Sequence, residues 1–140
     1  MIEIWKQIDD FSAYEVSNLG RVRRGVRVMK PSHQKSGYLQ VALSLKNVRH
    51  YCYVHRLVLE AFVGPCPEGE ECRHKDDVSS HNELTNLLWG TPKMNAADRC
   101  ANGKYAVGED HPIAVLTVAS VLMIRASIKS TRRLAKELGV

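Results

Sequence analysis

The chain has 140 residues, 44% hydrophobic and 25% charged, with 20 Lys/Arg against 15 Asp/Glu and a formal net charge of +5. That length allows one compact domain, or a small domain with an appendage, and no apolar run is long enough to span a bilayer. The opening Met1-Ile2-Glu3-Ile4-Trp5 lacks the basic-then-apolar layout of a signal peptide, so a cytoplasmic protein is expected.

Charge is spread unevenly. Residues 1–60 carry ten Lys/Arg against five Asp/Glu, residues 61–100 four against seven, and residues 101–140 six against three. Two basic flanks around an acidic centre suit a chain that grips a polyanion at both ends and does chemistry between them. Ordinary surface variation accounts for the same numbers equally well. The cysteines, Cys52, Cys66, Cys72 and Cys100, form no C-x-x-C pair and are expected to be free thiols in a reducing compartment.

In chain order the first half reads as short strands. Tyr14-Glu15-Val16-Ser17 runs into a turn at Asn18-Leu19-Gly20, Arg21-Val22-Arg23 begins the next strand, and Arg27-Val28-Met29 precedes a break at Pro31-Ser32. From Tyr38 to Leu45 the pattern alternates, with Leu39, Val41, Leu43 and Leu45 on one side. After Lys46-Asn47, the run His50 to Val54 is rich in strand formers and completes a hairpin. A helix follows from His55 or Arg56 to Phe62, its Leu57, Val58, Ala61 and Phe62 at helical spacing, and Gly64-Pro65 stops it.

Cys66 to Trp89 is poor in apolar residues and rich in turn formers; a long polar loop inside a compact domain is more often functional than idle. It closes on the strand-like Leu87-Leu88-Trp89. Thr91-Pro92 then starts a helix, with Thr accepting from free amides and Pro placed where no amide is needed, and the helix ends near Gly103. The order is strand, loop, strand, helix. Beyond it, Tyr105 to His111 reads as a linker. Thr117 caps a helix with Val118, Val121, Leu122 and Arg125 on one face, and Ser130 caps a third with Leu134 and Leu138 apolar and Gly139 as its stop.

One constellation carries chemistry. His74 is followed by Asn86 twelve residues on and Asn95 nine further. On the reading above, His74 ends the first strand, Asn86 lies just ahead of the second, and Asn95 lies in the first turn of the helix, so the three can share one cleft. Phosphodiester cleavage needs a group to take a proton from water and a cation to neutralise charge on the phosphate and leaving oxygen. A neutral imidazole suits the first task. An amide oxygen plus waters suits the second, because Mg²⁺ keeps several waters. The middle asparagine can hold the loop through its backbone groups.

These residues resemble the HNH endonucleases, in particular the phage and intron-encoded homing type. Val54-His55-Arg56-Leu57-Val58 with Ala61-Phe62-Val63-Gly64 is similar to the family's lead-in. Arg73-His74-Lys75-Asp76-Asp77, then Asn82-x-x-x-Asn86-Leu87-x-Trp89-Gly90-Thr91 and Asn95-x-x-Asp98, are similar to its core. Upstream, Trp5-Lys6-x-Ile8, Phe11 and Tyr14 to Arg23 resemble the small module that often precedes that core. The resemblance implies an α+β chain: a ββα-metal nuclease core at 51–103, an N-terminal antiparallel β module that helps hold DNA at 1–50, and a linker with a short helical tail at 104–140. It implies His74 as general base, Asn86 as loop brace and Asn95 as ligand of Mg²⁺ or Mn²⁺. The expected activity is hydrolysis of double-stranded DNA, one nick per site, by a phage-encoded monomer acting in the host cytoplasm.

One departure matters. Many members carry Asp or Asn just before the histidine as a second metal ligand, and here it is Arg73, whose guanidinium cannot coordinate a cation. Arg73 is grouped with the catalytic residues as a clamp on the scissile phosphate. The alternative is a DNA-binding module with a lapsed active site. Backbone contacts are expected from Arg21, Arg23, Arg24 and Arg27, with Arg21, Arg23 and Arg27 sharing a face, and from Lys30, Lys35, Arg56 and Lys93. His33, His50, His55 and His111 read as surface, strand or capping residues; His81 stands out only because it shares the loop of His74. A zinc site from Cys66, Cys72, His74 and Cys100 matches no familiar spacing and would consume the base. Gly108 to Val140 resembles the start of a helix-turn-helix whose recognition helix would begin where the chain stops, so modest sequence preference is expected.

Overall fold

The computed structural model describes residues 2–103 and 114–126. The chain divides into two compact units, Met1–Asp98 and Arg99–Val140.

The first unit opens with an antiparallel sheet of β1 (Trp5–Ile8), β2 (Phe11–Ser17), β3 (Val22–Arg24) and β4 (Arg27–Val28), in that spatial order. Its inward face follows the period of two: Tyr14 and Val16 are buried on β2, and Val16 faces the buried Val22. Pairing corrects one expectation drawn from sequence parity. Arg24 is registered against Arg27 and Arg23 against Val28, so Arg27 shares a face with Arg24 rather than with Arg21 and Arg23. The tight turn at Gly25-Val26 shifts the even-odd count by which the three had been grouped.

A second sheet joins β5 (Ser32–His33), β6 (Leu39–Leu45) and β7 (Val48–Tyr53). Lys46 and Asn47 link β6 to β7 with φ of 48° and 63°. Two consecutive left-handed residues are what a two-residue hairpin turn needs to match strand twist. The apolar stripe of β6 is buried at Val41 and Leu43 and runs out at Leu45, which is exposed at the sheet's end. Tyr14 Oη accepts the Ser44 amide at 3.0 Å, tying the two sheets together.

α1 (Val54–Phe62) follows β7 directly, and β8 (Glu71–His74) pairs antiparallel with β9 (Leu87–Gly90), His74 against Leu87 and Cys72 against Trp89. α2 (Pro92–Ala101) leaves β9 at once. Val54, Leu57, Val58 and Leu59 of α1 are buried with Ile8, Tyr14, Val16, Val22, Val41, Leu43 and Leu87 in one hydrophobic cluster. The buried arc of α1 is wider than the predicted stripe because strands pack on more than one side of it. The boundary expected near residue 50 lies inside β7, and the segments before and after it share this core.

In the second unit, α3 (Val118–Ala126) is capped as its sequence implies, Thr117 Oγ1 accepting the Ser120 amide at 3.1 Å. The linker at Tyr105–His111 and the helix expected from Ser130 lie outside the described residues. Leu59 is fully buried in the shared core. Leu59→Ala is therefore expected to lower unfolding free energy by about 2–5 kcal/mol, measured by urea titration, with both halves of Met1–Asp98 melting together.

Candidate active site

His74 is the last residue of β8, and backbone pairing with Leu87 fixes where its side chain leaves the strand. The ring is buried, set edge-on to His55 with centroids 5.3 Å apart and against Tyr38 at 5.9 Å. Its Nε2 lies 3.0 Å from Asn82 Oδ1. An amide oxygen only accepts, so this contact puts the ring proton on Nε2. Nδ1 makes no hydrogen bond among the described residues and is not one of the fully buried unpartnered nitrogens. It is the nitrogen open to a water.

The loop from β8 to β9 is held from its far end by Asn86. Asn86 Nδ2 donates to Asp76 Oδ1 and to the His81 carbonyl, each at 2.9 Å, and its Oδ1 accepts the Asp76 amide at 3.2 Å. The Asn86 carbonyl accepts the Lys75 amide at 2.9 Å. One buried side chain thus ties three points of the loop. Asp76 also accepts the Val78 amide at 2.9 Å and pairs with His81 Nδ1 at 2.6 Å. Desolvation pulls the Asp76 carboxyl upward, but bonds from His81, Val78 and Asn86 outweigh it and hold it at about 2. The same hydrogen bond from Asp76 raises His81 above the usual histidine range. His81 pins the loop through this contact with Asp76.

On the other side, β8 meets α2. Thr91 Oγ1 accepts the Met94 amide at 3.4 Å, which seats the helix start. Asn95 Nδ2 donates to Glu71 Oε1 at 2.7 Å, and Arg73 Nη1 pairs with Asp98 Oδ2. Arg73 lies flat over Gly90, where any Cβ would run into the guanidinium, and its side chain is 8% exposed. Through Nη1 Arg73 straps helix to strand, while its Nε is buried without a partner. Glu71 and Asn95 thus stand side by side, a carboxylate and an amide, and their oxygens are of the kind a hard divalent cation takes when it keeps most of its waters. Among the described residues no three His, Cys, Asp or Glu side chains cluster as a metal site. Burial pushes the Cys72 thiol up to about 12, and Cys66 Sγ donates to the Glu70 carbonyl.

Basic side chains occupy both faces of the first sheet. Arg21 pairs with Glu3 and Arg23 with Glu15 at 2.7 Å, and both guanidiniums lie over the Trp5 ring, at 5.6 and 4.1 Å. On the opposite face Arg24 lies 5.5 Å from the Tyr14 ring. With Arg27, Lys30, Val28 and Met29 it lines an open cavity of about 470 Å³. Arg56 is exposed on α1 and paired with Glu60 at 2.8 Å; Lys35 and Lys93 are exposed, on the β5–β6 turn and on α2.

Comparison with known proteins agrees with this geometry. Residues 3–44 match the NUMOD4 motif and residues 52–97 match the HNH endonuclease model. The DNA endonuclease I-HmuI of Bacillus phage SP01 is 31% identical over 145 aligned residues, spanning 97% of this chain and 83% of that protein. The chain belongs to the HNH endonuclease family. An uncharacterized HNH endonuclease of Acanthamoeba polyphaga mimivirus is 35% identical over 74% of this chain, which spans only 32% of that relative's length. A solved structure of DNA binding and cleavage by the HNH homing endonuclease I-HmuI superposes with a TM-score of 0.65 at 33% identity, covering 74% of this chain and 62% of that one.

Within this HNH site, four residues were not singled out by sequence reasoning as parts of it: Asn82, His55, Tyr38 and Glu71. Asn82 was visible only as a motif position. His55, placed on the helix start as a capping residue, lies against His74 instead. Its Nδ1 is buried without a partner, and burial first, with His74 second, lowers it to about 4. The sign follows. With the folded value below the unfolded one, near 6.5, His55 stays neutral on folding, and stability present above about pH 6.5 is lost as pH falls toward about 4. That loss amounts to about 3 kcal/mol. Urea titrations across this window should show the slope in the wild type and a shallower one in His55→Phe.

Proposed function

We propose that this HNH endonuclease hydrolyses phosphodiester bonds of double-stranded DNA with His74 as the base that activates water, acting as a monomer and nicking one strand per site. The observation that carries this reading is the division of labour on the His74 ring: Nε2 is committed to Asn82 while Nδ1 stays open. A divalent ion such as Mg²⁺ or Mn²⁺, when bound, would neutralise charge on the phosphate and leaving oxygen. Asn95 and Glu71 would hold it. Arg73 and Asp98 keep α2 fixed to β8 and so keep Asn95 in place.

DNA reaches this site, on our reading, along the first sheet. The face carrying Arg24, Arg27 and Lys30 keeps its cations free of the carboxylate partners that occupy Arg21 and Arg23, so it supplies the stronger phosphate contacts. One relative, I-HmuI, named a DNA endonuclease and described in its solved structure by DNA binding and cleavage, supports the substrate class.

Supercoiled plasmid separates this reading from that of a binding module with a lapsed site. Nicked circles should form with Mg²⁺ or Mn²⁺ and stop with EDTA, and His74→Ala should lower the rate about 10²- to 10⁴-fold. DNA binding with no cleavage under any divalent ion would sink the catalytic proposal. Binding measured against salt tests the interface: Arg24→Ala and Arg27→Ala should each reduce the slope of log affinity on log salt by about one, and Arg21→Ala by less.

A further inference from the structure

The least explained polar contact of the site belongs to Asn82. It is 4% exposed, its Oδ1 meets His74 Nε2 at 3.0 Å, and its Nδ2 is buried with no partner. A buried amide that leaves its donor unsatisfied is not seated by its own side chain; something else must hold it. The backbone supplies that seat. Gly20, in the turn between β2 and β3, has φ of +77°, and a Cβ added there would stand 2.8 Å from the Asn82 carbonyl oxygen and 2.9 Å from its Cβ. Two residues on, the Leu84 amide donates to the Asn18 carbonyl at 2.9 Å.

That turn is itself anchored. Asn18 Oδ1 accepts the Ile4 amide at 2.8 Å, Asn18 Nδ2 donates to the Ile2 carbonyl at 3.2 Å, and the Asn18 amide donates to the Ile4 carbonyl at 3.0 Å. A second turn of the N-terminal half flanks the same loop: Gly37 has φ of +86° and abuts Ser79 Oγ, and the next residue, Tyr38, packs against the His74 ring. Asn86 braces the loop at its β9 end, whereas these contacts fix the middle, where Asn82 sits.

We propose that Asn82, seated on the Asn18–Gly20 turn, is the positioning residue that holds His74 with Nε2 protonated and Nδ1 turned to the water. The N-terminal module is then part of the cleavage machinery as well as a grip on DNA. The inference rests on the reading of His74 as the base. It explains why Gly stands at position 20: a side chain there would meet backbone, which cannot swing aside, whereas one at position 37 would meet a hydroxyl that can.

The test uses the full chain, with ¹⁵N spectra of His74 and steady-state nicking of plasmid. Wild type should show the Nε2–H tautomer. Asn82→Leu, which fills the space but offers no acceptor, should lose that single-tautomer signature and lower kcat about 10- to 100-fold, with KM for DNA within about threefold. Asn82→Asp, which offers only acceptor oxygens, should restore the Nε2–H form and most of kcat. Gly20→Ala should lower kcat more than Gly37→Ala does. An Nδ1–H tautomer in the wild type would mean that Asn82 presents its NH₂ to the ring, and overturns the proposal. Equal losses in the Leu and Asp variants, tracking their melting temperatures, overturn it as well. If His74→Ala abolishes cleavage and Asn82→Leu does not slow it, the positioning role alone fails; if His74→Ala cleaves as wild type does, the base assignment fails and takes this inference with it.

Discussion

Nothing in the first unit is wide enough to stand by itself. Its sheets have four, three and two strands, and sheets so small need a packed face to persist. α1 supplies that face to all of them, burying Val54, Leu57, Val58 and Leu59 against residues from β1, β2, β3, β6 and β9. The geometry of the site inherits this constraint. β8 and β9 are four residues each, and the packing of Leu87 in the core shared with the helix, together with the bond from Leu84 to the Asn18 turn, keeps the pair at a fixed place relative to the N-terminal sheets.

Within that frame the site solves a problem of polar burial. A histidine ring enclosed by Tyr38 and His55 must have its polar nitrogens answered, because an unpaired buried group forfeits its hydration. His74 is answered once, by Asn82, and left open once. Around it, Asn86, Asp76 and His81 satisfy one another and the loop backbone. The unsatisfied donors are pushed one step outward, to His55 Nδ1, Asn82 Nδ2 and Arg73 Nε. The cost of enclosing the His74 ring is thus carried by its neighbours.

What could be read from sequence was what depends on near neighbours. The Lys46-Asn47 hairpin, the Thr91 and Thr117 caps, the Gly64 stop and the strand-loop-strand-helix order all rest on contacts a few residues apart, and each is present. The places of His74 at the end of β8, Asn86 just ahead of β9 and Asn95 near the start of α2 are likewise set by one loop and one turn of helix. β1 gave no strand signal, because only Ile8 of Trp5-Lys6-Gln7-Ile8 is fully buried and the strand exists by pairing with β2. His55 and Glu71 gave none either: their partners, His74 and Asn95, lie 19 and 24 residues away, and no local pattern reports that distance. Arg73 was read by the chemistry of its type as a non-ligand, and its partner Asp98 sits across the strand-helix interface, beyond the reach of any local pattern.

The strap over Gly90 binds three positions into one inherited unit. Arg73 lies on a residue that can carry no side chain beneath it and neutralises an acid, Asp98, that would otherwise stand half-enclosed without a counter-charge. A lineage that exchanged the arginine for a short carboxylate would set two like charges facing each other and open a hollow above the glycine. Positions 73, 90 and 98 are therefore coupled, and a substitution at one of them alone leaves the other two misfitted.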